Sequence, residues 1–158
     1  MKLYHGSNVV VTNPQIFESD RRLDFGTGFY LTTSYVQAQR WAVLMAKRRS
    51  LGEACVSIFD YDENSESVLN VLKFENANVD WIRFVSANRK KLPLQSEFDI
   101  VFGPVANDKT MSVIMLYFAG IYTEYEAIER LLPQNLEDQV VFKSEKSLRY
   151  LKFVEVVR

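Results

Sequence analysis

With 158 residues, 47% of them hydrophobic and 25% charged, the chain is long enough to bury one core and has the composition of a folded domain, not of a disordered tail. A formal charge of −1 excludes a polybasic nucleic-acid binder, and one histidine with one cysteine excludes a zinc site built on those ligands. No leading basic segment precedes an apolar run and no run reaches membrane-spanning length, so the expectation is a single cytoplasmic domain over residues 1–158, with no membrane partner and no metal.

Residues 2–5 read as a short strand ending on His5, the only histidine, followed by a glycine and a hydroxyl, Gly6 and Ser7. Residues 8–22 are polar loop, and the turn Gly26-Thr27-Gly28 leads into a second strand over Phe29–Thr32. Ser34 caps the next helix, where Ala38, Trp41, Ala42 and Met45 recur on one face and Lys47-Arg48-Arg49 form the last turn before Gly52. Ala54–Asp60 is a strand, Asp62–Glu66 an acidic turn and Val68–Lys73 a further strand. Cys55, among Ala54, Val56 and Ile58, is a small buried hydrophobe without a disulfide partner.

A second helix begins at an Asn78 cap, turns Val79, Trp81, Ile82, Phe84 and Val85 to the core, and leaves through Arg89-Lys90-Lys91 before Pro93. Phe98–Phe102 is an apolar strand stopped by Gly103-Pro104, after which Asn107 or Asp108 caps a helix carrying Met111, Ile114, Met115 and Phe118 up to Gly120. Thr123 and Glu126 have the spacing at which cap and third residue satisfy each other's amides, opening a helix to Leu132. The tail reads as a strand over Gln139–Phe142, a short helix around Ser144–Tyr150 and a strand over Leu151–Val157. Strands and helices do not alternate as they do in a doubly wound parallel sheet, so the fold class is α+β.

Taken in order, Tyr4-His5-Gly6-Ser7, Gly26-Thr27-Gly28-Phe29-Tyr30-Leu31 and Trp41, eleven positions after Tyr30, resemble the ADP-ribosyltransferase superfamily, in the branch related to diphtheria toxin and the poly(ADP-ribose) polymerases. Asp24–Thr32, Gln37–Ala42, Phe98–Asp108 and Asp138–Phe142 extend the likeness to a small bacterial family of that fold. The resemblance implies a split β-sandwich of two small sheets around an NAD cleft, with flanking helices. It implies a mono-ADP-ribosyltransferase with NAD as substrate and a protein or nucleic-acid acceptor, of the kind that serves as the toxin of a bacterial toxin-antitoxin or phage-defence system, with an antitoxin protein as partner. An NAD-dependent RNA 2′-phosphotransferase and a catalytically degenerate NAD-binding or partner-binding module are the alternatives.

In such a transferase nicotinamide leaves the ribose and an oxocarbenium-like centre develops. Tyr30 and Trp41 would sandwich the cationic ring, each contributing about 0.5–2 kcal/mol, while the bare backbone of Gly6 would meet its carboxamide and Ser7 would add a hydrogen bond. His5 would position a ribose hydroxyl, so that one imidazole and two flat rings converge on the nucleotide. Arg21 and Arg22 would reach the pyrophosphate. The late strand departs from the resemblance, because Glu137, Asp138 and Gln139 compete for the position where the family carries a glutamate; Gln139 ranks first, Asp138 second and Glu137 third.

Overall fold

The computed structural model describes residues 1–18, 23–94, 96–106 and 108–158. In chain order the elements are β1 (Lys2–Ser7), β2 (Phe29–Leu31), α1 (Tyr35–Arg49), β3 (Cys55–Tyr61), β4 (Val71–Lys73), α2 (Val79–Arg89), β5 (Ile100–Pro104), α3 (Asp108–Phe118), α4 (Glu124–Leu131), β6 (Asp138–Phe142), α5 (Glu145–Leu148) and β7 (Leu151–Val157). The class is α+β with two small sheets. One has three antiparallel strands in the order β1-β3-β7; the other has four in the order β2-β6-β5-β4, with β4 and β5 parallel.

Side-chain alternation along the strands sorts the apolar residues into three layers. Leu3, Phe59 and Tyr61 of the first sheet meet Phe29, Leu31, Val140 and Phe142 of the second in the core between them. Val101 and Val141, on the opposite face of the second sheet, pack with Phe25 and with Trp81, Ile82, Ile114 and Leu131 of the helices. On the outer face of the first sheet, Val56 and Ile58 take the small residues Ala38 and Ala42 of α1.

The caps follow the side-chain chemistry of the sequence. Ser34, Asn78 and Thr123 accept from the backbone N–H groups of Gln37, Trp81 and Glu126, and Glu126 reaches back to the amide of Thr123. One expected strand is shortened and another is shifted along the chain. The amides of Val68 and Leu69 both bond to the Ser65 carbonyl, closing a 3₁₀ turn over Glu63–Ser67, and the strand starts only at Val71. Asp99 is held by Asn70 N–H at 2.9 Å and Ser144 Oγ at 2.6 Å, so β5 begins at Ile100, two residues later than expected, and it runs on through Gly103 and Pro104 instead of stopping before them.

Candidate active site

The two sheets join strand to strand at Tyr4 and Thr32: Tyr4 N–H donates to the Thr32 carbonyl at 2.9 Å and Thr32 N–H to the Tyr4 carbonyl at 3.0 Å. Outward-pointing peptide groups alternate along a strand, so Gly6, two residues on, turns its N–H and C=O to the same edge. The Tyr4–Thr32 register would set Gly6 opposite Tyr30, yet among the described residues no bridge forms there. Beyond the bridge the edge of Gly6 therefore has no strand partner among the described residues, and His5 Nδ1 lies against the Tyr30 carbonyl at 2.8 Å. Paired residues share a face, so the face that carries Gly6 continues into the one that carries Tyr30, its partner Val141 and, two residues before that, Gln139.

Helix α1 lies over this face. An added Cβ on Gly6 would fall on the Ala38 carbonyl, 2.8 Å from its carbon, and 3.1 Å from the Ala42 amide nitrogen. Close helix–strand contact therefore demands glycine here, a reason that the expectation of ligand access did not include. Trp41 is not part of the buried stripe of Ala38, Ala42 and Met45, as its spacing had predicted. It is 49% exposed on the flank of α1 one turn beyond Gln37, with the Arg48 guanidinium 5.8 Å from its ring centre. Among the described residues its indole makes no ring pair with Tyr30 or His5.

Tyr30 stands on a tightly fastened turn. Its ring packs against the helix-side core and its hydroxyl donates to the Gly26 carbonyl at 2.6 Å. Burial pushes that hydroxyl far above the usual tyrosine range. Gly26 has φ +75°, and a side chain there would meet Asn88 Oδ1 at 2.6 Å. Fully buried Phe25 anchors the turn, while the buried carboxylate of Asp24 accepts from Arg89 Nε at 2.6 Å and from the Ala106 amide at 3.3 Å.

His5 emerges on the opposite face, 4.5 Å from the ring of Phe29. Its Nδ1 lies 2.8 Å from the Tyr30 carbonyl; a carbonyl only accepts, so Nδ1 carries the proton and Nε2 is left as an acceptor. Burial holds the imidazole below its ordinary value, against a smaller raising effect of that hydrogen bond, and the ring is neutral at pH 7. The expected gathering of three rings is thus replaced by a backbone link: the imidazole braces the strand behind Tyr30. Ser7 shares the face of His5, and its Oγ accepts from Val9 N–H at 3.4 Å. Arg21 and Arg22 lie outside the described residues, as does Asn107.

Strand β6 separates the three candidates for the acidic position. Gln139 shares the face of Tyr30, is 6% exposed, and donates from Nε2 to the Pro104 carbonyl at 3.3 Å. Asp138 turns to the other face and clamps the start of α1: its carboxylate accepts from the hydroxyls of Thr32 and Thr33, and Gln37 Nε2 donates to its carbonyl at 2.8 Å. Glu137 is exposed and pairs with Arg40.

Gln37, Asp24, Arg89 and Lys143 are the residues that sequence reasoning missed. Lys143 Nζ donates to the carbonyls of Phe25 and Thr27, securing the turn below Tyr30. The signal available for it was a lysine directly after the apolar run Val140–Phe142. Burial lowers its pKa from an ordinary 10.5 to about 8. Between these values the unfolded chain keeps a proton that the folded one has released, so this group makes stability rise with pH from about 8 to 10.5. Two carbonyl bonds need only two N–H groups, which the neutral amine retains. Urea unfolding over that range should show the rise in the native chain and a flatter profile in Lys143→Gln.

Among the described residues no group of three histidine, cysteine, aspartate or glutamate side chains gathers as a metal site, and no helix is long and apolar enough to cross a membrane. The fold and site define, among the described residues, a class of α+β protein in which two small sheets are joined by one backbone bridge, with the edge of Gly6 beyond it directed toward the strand of Tyr30. The chain belongs to the family described as "Protein of unknown function (DUF3990)", whose model matches residues 1–153. No curated protein and no solved structure matches it.

Proposed function

We propose that this protein is an NAD-dependent mono-ADP-ribosyltransferase whose nicotinamide site lies between Gly6 and Tyr30. The observation that carries the reading is the single bridge between β1 and the end of β2, beyond which the edge of Gly6 has no strand partner among the described residues and is directed toward the strand of Tyr30, with Gln139 on the same face. A primary carboxamide is chemically a piece of peptide backbone, and it would take up the N–H and C=O of Gly6 as a neighbouring strand would. Tyr30 would stack on the pyridinium, while Trp41, half exposed on the flank of α1, is left out of the stack. Nε2 of His5 would accept from a ribose hydroxyl.

In the reaction the C–N glycosidic bond breaks, nicotinamide leaves as a neutral base, and the acceptor bonds to the anomeric carbon while losing its proton to solvent. Gln139 would hold the ribose 2′-hydroxyl through its amide oxygen. It carries no charge and cannot act as a base, so the acceptor must itself be a good nucleophile, and one ADP-ribose unit is transferred instead of a chain.

Incubation with NAD labelled on the adenosine half and with cell lysate, followed by separation of protein and nucleic acid, tests the reading. Label is expected on a macromolecule, reduced at least about 100-fold in Tyr30→Ala and in Gln139→Ala. Removal of an RNA 2′-phosphate with NAD would replace this reading with phosphotransfer. NAD binding without label or nicotinamide release would reduce the protein to a binding module.

A further inference from the structure

Strand β7 closes one edge of the first sheet. It pairs with β3 on one side, and along its other side its backbone makes no hydrogen bond among the described residues. It also carries a bulge: Val154, 40% exposed, is an extra residue between Phe153, opposite Phe59, and Glu155, opposite Ile58. In a regular strand Lys152 and Glu155, three positions apart, would point to opposite faces. The bulge resets the alternation, so both stand on the outer face, opposite Asp60 and Ile58 of β3, while Leu151, Phe153 and Val156 turn inward. Lys152 and Glu155 are exposed, and among the described residues neither makes an ion pair or a side-chain hydrogen bond; Asp60, across the ladder from Lys152, pairs with no cation either.

We propose that β7 is the seat of a two-fold dimer, in which the same strand of a second copy adds antiparallel to it and joins the two three-stranded sheets into one. With the axis between Phe153 and Val154, Lys152 of each copy stands opposite Glu155 of the other and Leu151 opposite Val156, so outer side chains meet outer and inner meet inner. Each extra residue falls opposite Phe153 of the other copy, and neither strand loses step. Moving the alignment by one residue would set Lys152 against the inward Val156. A lysine and a bulge on an edge turn away strands in general. The strand that supplies a carboxylate at the required place, twice by symmetry, is this chain's own.

Sedimentation velocity of the full chain from about 1 µM to about 500 µM is expected to show a monomer passing into a dimer, as befits an interface of small area. Hydrogen exchange at the two ends of that range should show the β7 amides protected on association and those of α4 unchanged. Lys152→Glu and Glu155→Lys should each weaken the dimer at least about tenfold, and the two together should restore it to within about threefold of the native chain. Lys152→Glu meets Asp60 in the single and the double variant alike, so any cost to the fold cancels and recovery reports the contact between copies. The proposal is overturned if the chain stays monomeric throughout, if the double variant associates no better than the single ones, or if a dimer forms while the β7 amides exchange as in the monomer. None of these readouts involves NAD, so either idea can fail alone.

Discussion

Gly6→Ala is expected to destabilise the protein by about 3 kcal/mol, at the upper end for overpacking a close contact. The obstacle is main chain, not a side chain with another rotamer: the new methyl would meet the Ala38 carbonyl and the Ala42 amide, both fixed in the ladder of α1. Relief requires α1 to lift from β1, which would loosen Ala38 and Ala42 from Val56 and Ile58. Equilibrium unfolding in urea measures the effect, with Ser7→Ala as the control expected to stay within about 0.5 kcal/mol. A Gly6→Ala protein as stable as the native chain would show that α1 does not rest on this residue. The same variant should also lose NAD-dependent labelling, since the displaced residue is the one whose peptide edge would take up the carboxamide.

Asp24→Ala is expected to cost about 3 kcal/mol, because it leaves Arg89 partly buried without its counter-charge. The carboxylate is 6% exposed and binds both Arg89 and the amide of Ala106, so its loss also orphans a backbone donor. Arg89→Met alone should be damaging, whereas Asp24→Ala combined with Arg89→Met should cost clearly less than the sum of the two. Thermal melts of the four proteins give this coupling directly. Strict additivity would mean that the pair contributes nothing beyond its separate contacts.

These helices and their caps were legible in the sequence because Ser34, Asn78 and Thr123 each act on the amide three residues away. Gln139, the first choice for the late strand, does share the face of Tyr30, and strand alternation alone turns its neighbour Asp138 away. What lay beyond reach were side chains whose partners are distant in the chain. Asp24 and Arg89 are 65 positions apart, and Lys143 reaches back 118 residues to Phe25; neither pairing leaves a periodic trace. Trp41 was misplaced for a smaller reason. At about 100° per residue it falls beside the stripe of Ala38 and Ala42, near enough to look like core in a pattern and far enough to be half exposed in the fold.

The Tyr4–Thr32 bridge gives the seam between the sheets an unusual economy. Below it, Leu3, Phe29 and Phe59 already cement the two halves, so an entering molecule has no interface to prise open. A planar amide lodged between Gly6 and Tyr30 would act as a borrowed rung, extending the stitching by one step and leaving none of it unpicked. Occupancy of that position would then stiffen the joint, and the protein would grip its guest with the same main-chain grammar that holds its own strands together.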